Sequence, residues 1–113
     1  PHGLSNAMLL PAVTAFSANG ATARYAVCAR TMGWSAEGDN DLVAVSKLVD
    51  ALRQLNIDLA VPSPSAYGIN PAAWERALPL MAEQALASGS PANNPIVPSL
   101  GEIETIYREV WRA

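Results

Sequence analysis

The first 23 residues of this chain, Pro1 to Ala23, contain no Asp, Glu, Lys or Arg. A helix that meets water on one side normally carries charge there, so a segment without any demands cover from other protein or from lipid. Lipid is excluded by composition. Ser5, Asn6, Pro11, Ser17, Asn19 and Gly20 interrupt the segment well short of the ~20 apolar residues that span a bilayer. The segment also lacks the basic start and the cleavage site of a secretory signal. The expectation is a helix from about Leu4, buried on most sides. Pro11 should kink it or start a fresh turn, and Asn19-Gly20 should end it.

The rest of the chain keeps to a helical period. Tyr25, Cys28, Ala29 and Met32 fall at i, i+3, i+4 and i+7, which predicts a helix over Ala21 to Met32 stopped by Gly33. Glu37-Gly38-Asp39-Asn40-Asp41 is a polar loop that supplies a cap and first-turn negative charge to the next helix. That helix is predicted to run to about Asn56, with Leu42, Val45, Val49, Leu52 and Leu55 inward, Val43 and Leu48 widening the stripe, and Lys47, Asp50 and Arg53 outward. Val61-Pro62-Ser63-Pro64-Ser65 cannot lie inside a helix, since paired prolines force an extended or turning path. Asn70-Pro71 reads as a cap followed by a first-position proline, opening a helix to Ala87 with a break expected at Pro79. A Ser/Pro/Asn loop, Ser88 to Pro98, leads to a last helix that starts with the capping-box pair Ser99 and Glu102 and presents Ile103, Ile106, Tyr107, Val110 and Trp111 on one face. No strand alternation and no repeat is present. The fold class is all-α, a bundle of about five or six helices.

Composition narrows the function classes. Only 15% of residues are charged while 50% are hydrophobic, against a usual charged share of about a quarter. The apolar surplus either meets another domain or subunit or belongs to an inert Ala-rich surface. The net charge of −3 comes with scattered single Lys and Arg, so no basic stripe exists for nucleic acid. Cys28 is the only cysteine. It fits a reducing, cytoplasmic compartment and is expected to be buried and structural.

Chemistry is sparse in the residues themselves. His2 is the only histidine, and catalysis or metal binding needs several convergent groups. Asp39, Asp41, Glu102 and Glu104 stand where helix starts favour negative charge, so they read as caps rather than acids or bases. Trp34, Trp74 and Trp111 are spread along the sequence and read as packing residues without a stacking platform. Gly3 beside His2 would permit close backbone approach, and a charge-free helix start offers a dry setting that suits a neutral imidazole ligand. The sequence opens on Pro1-His2-Gly3 without a methionine, which reads as a piece cut from something longer.

Pro1-His2-Gly3-Leu4-Ser5-Asn6-Ala7-Met8-Leu9-Leu10-Pro11 resembles the Pro-His-Gly-x-x-Asn-Ala-x-Leu-Leu-Pro segment of the iron-containing (group III) alcohol dehydrogenases. Arg24-Tyr25-Ala26-x-x-Ala29-Arg30-x-Met32-Gly33 is similar to that family's next helix, and Asn94-Pro95 followed by Glu102-Ile103-x-x-Ile106-Tyr107-x-x-x-Trp111 to its C-terminal ending. The resemblance implies that residues 1–113 are the C-terminal part of an all-helical metal-binding catalytic domain, with the nucleotide-binding domain outside the sequence. It implies Fe2+ or Zn2+ held by one Asp and three His, of which His2 is the last, and NAD or NADP as hydride carrier. It implies small alcohols, aldehydes or ketones as substrates, the remaining N-terminal part of the same enzyme as partner, and a homo-oligomer. The isolated piece is expected to be inactive.

The sequence departs from the family pattern in two places, at Ala12 and in the loop around Asn94-Pro95. Ala12 stands where many members carry a His or a larger residue, and Ile96 follows Asn94-Pro95 where Arg is frequent. Ser88 and Ser90 also replace the Cys or acidic residue common before that pair, so no substrate-binding residue is assigned. The alternatives are a metal-independent relative such as a maleylacetate reductase, against which Pro1-His2-Gly3 counts, and a helical interaction module without chemistry, against which the charge-free opening counts.

Overall fold

The structure, a computed structural model, describes residues 1–112, and every element among them is helical. The chain divides into two compact units, Pro1–Val61 and Pro62–Ala113.

The first unit holds three helices: α1 (His2–Ala18), α2 (Thr22–Thr31) and α3 (Asp41–Asp58). Helix α3 is its centre, with α1 and α2 both packed on it. Ala26 and Ala29 of α2 meet Ala44, Leu48 and Leu52 of α3, and Tyr25, Trp34 and Val45 close around them. Alanines at this contact let the two helix axes approach, and each buried leucine contributes roughly 1.5–3 kcal/mol. The observed inward face of α3 is therefore Ala44, Leu48, Val49 and Leu52. Leu42, expected inward, is 75% exposed, and Leu55 is also exposed. At 100° per residue Leu42 lies about 120° around the helix from Leu48, too far to share its face.

Helix α2 shows a similar rotation. Its buried residues are Ala26 and Ala29, whereas Met32 and Cys28 are exposed. The expectation of a buried Cys28 is thus corrected: the seam is built from alanines, which places the cysteine one step round the helix on the outside. Gly33 ends α2 as expected. It adopts φ +78, the Gly33 amide donates to the Arg30 carbonyl at 3.0 Å, and the Trp34 amide donates to the Ala29 carbonyl at 3.0 Å. This is the doubly bonded left-handed helix stop that favours glycine, with Trp34 folded back onto the core beyond it.

Helix α1 runs unbroken through Pro11. It buries one stripe, Pro11, Thr14, Ser17 and Ala18, and leaves Leu10 and Val13 exposed. A three-helix unit in which α1 packs on α3 covers one side of α1, so the expected burial on most sides is not met within these residues.

The loop between α2 and α3 is tied by charge. The Asp39 carboxylate accepts from Lys47 Nζ at 2.6 Å, Ser35 Oγ at 2.8 Å and the Ala36 amide at 3.0 Å. These donors, Lys47 first, hold its carboxyl down from 3.8 to about 2. Arg30 donates to the Asp39 carbonyl at 2.8 Å and to Asp41 Oδ1 at 2.9 Å. Asn40 caps α3 by accepting the Val43 amide at 2.9 Å.

The second unit holds α4 (Pro64–Tyr67), α5 (Pro71–Ala87), one 3-10 turn (Pro91–Asn93) and α6 (Leu100–Val110). The paired prolines do bar a helix interior, but Pro64 takes the first helical position of the short α4 behind the Ser63 cap, where a missing N–H is harmless. Asn70 caps α5 through the Ala73 amide at 3.0 Å. No break occurs at Pro79: α5 continues past it, with Pro79 and Glu75 both exposed, so the carbonyl that the proline leaves unbonded can meet water. Ser99 and Glu102 form the expected reciprocal capping box. Leu78 and Ala82 of α5 and Ile103 and Val110 of α6 are buried, and α5 packs on α6. The tryptophans are not all separate, as the sequence suggested. Trp74 and Trp111 stand 5.3 Å apart between ring centroids, and Tyr107 meets Trp74 edge-on at 6.0 Å.

Candidate metal centre

His2 begins α1 and is exposed, not in the dry setting expected of it. Its Nε2 lies 3.2 Å from Nδ2 of Asn6. The two residues are four apart, so they share one face of the helix and meet over a single turn. An amide nitrogen only donates, so in this orientation Nε2 accepts and the ring proton sits on Nδ1. Turning the amide over would present Oδ1 to an Nε2–H and leave the Nδ1 lone pair outward. Asn6 holds Nε2 in both forms, but only the second leaves a ring nitrogen with a free lone pair. That is the form in which His2 can ligate, with Asn6 fixing the ring as partners of ligating histidines do. Gly3 makes no close approach: a Cβ there would meet nothing within 4 Å among the described residues.

One imidazole is a ligand and not a site. Structural and catalytic metal centres take three or four protein donors. Among the described residues no group of three or more His, Cys, Asp or Glu side chains converges. The acidic residues have other work: Asp39 and Asp41 pin the loop before α3, Glu102 completes the α6 cap, and Glu104 lies 3.8 Å from Arg108. The residues present therefore fit a metal ion as a single nitrogen donor and do not enclose one. No helix among them is long and apolar enough to cross a membrane.

The base of the helix that carries His2 has a feature that sequence reasoning missed. Asn56, near the end of α3, donates from Nδ2 to the Ala7 carbonyl at 2.8 Å. A signal for Asn6 existed in its i+4 spacing from His2. For Asn56 none existed, because its partner lies 49 positions away.

The fold and this histidine define an all-helical domain that presents one exposed, helix-borne imidazole. The chain belongs to the Fe-containing alcohol dehydrogenase family, whose C-terminal profile matches residues 1–111. It is 32% identical over 112 residues to 1,3-propanediol dehydrogenase of Klebsiella pneumoniae, covering 98% of this chain and 28% of that protein. It is 32% identical over 111 residues to lactaldehyde reductase of Escherichia coli K12, again covering 98% of this chain and 28% of the relative. A crystal structure of 1,3-propanediol oxidoreductase superposes with a TM-score of 0.86 at 32% identity, over 97% of this chain and 28% of that one. The chain thus spans about 28% of the length of these relatives.

Proposed function

We propose that these residues are the C-terminal part of the helical catalytic domain of a metal-dependent, NAD(P)-linked alcohol dehydrogenase acting on small alcohols and aldehydes. His2 is one of its metal ligands. The observation that carries the reading is the pairing of one exposed imidazole, held by Asn6, with a donor set too small to bind a metal alone. Membership of the family supports the chemistry, and the names of the two relatives support a small hydroxylated or carbonyl substrate.

Bound Fe2+ or Zn2+ would supply Lewis acidity toward a substrate oxygen while NAD or NADP carries the hydride. This chain's own part is narrower. His2 offers one neutral nitrogen, Asn6 fixes the plane of its ring, and α1 carries both. The apolar side chains exposed on α1, Leu10 and Val13, suit contact with the rest of the enzyme, which we place in the cytoplasm as a homo-oligomer.

The test is metal stoichiometry. The full-length protein should bind about one divalent ion per subunit, and His2→Ala should lose both the ion and dehydrogenase activity. The isolated 113-residue chain should show neither. A His2→Ala enzyme with unchanged metal content and turnover would sink the assignment of His2.

A further inference from the structure

We propose that Asn56 is a positioning residue for His2, acting through the backbone carbonyl that Pro11 leaves without a partner. The proposal rests on His2 being a metal ligand.

In an α-helix the carbonyl of residue i accepts from the amide of residue i+4. For Ala7 that amide would belong to Pro11, which has none, and the proline ring also crowds the same carbonyl. The N-terminal turns of α1 are therefore joined to the rest of the helix by one bond fewer. A hinge lies between Ala7 and Pro11. At Pro79 in α5 the equivalent carbonyl belongs to an exposed residue, Glu75, and water can serve it. At Pro11 the ring is buried and Ala7 half-buried, where an unmet carbonyl is costly. Asn56 fills the gap, its Nδ2 donating to the Ala7 carbonyl at 2.8 Å.

Asn56 is itself well held. It is half-buried, and its own carbonyl accepts the Val61 amide at 2.8 Å in the stop that ends α3. The bond consequently references the front of α1 to the end of α3, instead of to the proline-weakened turn of its own helix.

The lever arm shows why this matters for His2. Pro11 lies nine positions after His2, which at a rise of 1.5 Å per position is a lever of roughly 13 Å. A tilt of about 10° at the hinge, modest for a helix bend at proline, moves the imidazole by about 2 Å. Metal–nitrogen distances tolerate only about ±0.2 Å. Removing the Asn56 donor would thus misplace the ligand without touching it.

The experiment is a double-mutant cycle on the full-length enzyme, read as Zn2+ affinity by titration of metal-free protein, with its thermal midpoint recorded alongside. Asn56→Ala should weaken Zn2+ binding about tenfold or more, the range seen when a partner of a metal ligand is lost. In a Pro11→Ala background residue 11 regains its amide and serves the Ala7 carbonyl within the helix. There Asn56→Ala should cost less than about threefold, whatever Pro11→Ala does by itself. Should Asn56→Ala fail to fold, the near-isosteric Asn56→Asp, which lacks the donor, takes its place in both backgrounds. Equal losses in the two backgrounds would overturn the mechanism, since Asn56 would then act elsewhere. No loss from Asn56→Ala, beside a His2→Ala enzyme that has lost its zinc, would overturn the proposal and leave His2 as ligand. Zinc retained by His2→Ala would remove both.

Discussion

Asp39 and Lys47 meet at 2.6 Å, a carboxylate in the loop before α3 closing on an ammonium two turns into that helix. Ser35 and the Ala36 amide converge on the same oxygen. The carboxyl titrates at about 2 when folded, against 3.8 ordinarily. Between those values the unfolded chain binds the extra proton. The stabilisation from Asp39 is then complete above about pH 4, declines as pH falls through the window, and is gone below about pH 2. Thermal unfolding from pH 2 to 7 should show Asp39→Asn lowering the midpoint near neutrality and flattening its fall in acid. Parallel acid limbs for the two proteins would mean that the loop contributes no pH-dependent stability.

Ala60 has φ 56 at the end of α3, the position Gly33 occupies after α2. The bonding pattern is the same, with the Ala60 amide on the Ile57 carbonyl at 3.0 Å and the Val61 amide on the Asn56 carbonyl at 2.8 Å. A Cβ in the left-handed region costs roughly 1–2 kcal/mol, partly offset by the greater freedom of glycine when unfolded. Ala60→Gly should therefore raise stability by about 0.5–1 kcal/mol, and Gly33→Ala should lower it by about 1 kcal/mol in urea unfolding. The space around Gly33 is open, so that loss is strain alone.

Leu78 and Leu80 are two residues apart on α5, the first fully buried and the second 57% exposed. Leu78→Ala should cost about 2–5 kcal/mol, and Leu80→Ala within about 0.5 kcal/mol of nothing. Equal effects in denaturant titration would contradict the observed burial.

Ser99 accepts the Glu102 amide at 3.2 Å while Glu102 accepts the Ser99 amide at 3.0 Å. Ser99→Ala should destabilise α6 by about 1 kcal/mol. Ser99→Asp, which keeps an acceptor, should recover most of it. Circular dichroism melts of the three proteins would decide this.

Local signals in the sequence located the caps and stops well. Asn70-Pro71, the Ser99–Glu102 pair and Gly33 each act within a few residues, and each appears where the spacing places it. Faces were less legible. Leu42 and Cys28 satisfy a helical period, but which stripe turns inward depends on the partner helix, and the alanine seam of Ala26, Ala29 and Ala44 looks unremarkable in one dimension. Prolines were misread in a consistent direction. Pro79 sits in a continuous helix because solvent can serve its orphaned carbonyl, and Pro64 starts a helix because the first position needs no amide. At the candidate site, the sequence pointed to His2 alone; Asn6 stands four positions on, but only the structure shows it against the ring. The Asn56 bond to Ala7 is tertiary, and no local pattern could announce it.

The two contacts that build the first unit differ in how far along the chain they reach. The α2–α3 pair joins neighbours across one short loop pinned by Arg30 and Lys47, whereas the bond from Asn56 to Ala7 closes 49 positions. Short closures form early and long ones late. The α2–α3 hairpin is accordingly expected to assemble first, and α1 to dock onto it afterwards. In native-state hydrogen exchange the first turns of α1 should open at lower free energy than the middle of α3. Within the first unit the helix bearing the imidazole is then the last to be ordered, and ligand capture would follow its docking rather than seed it.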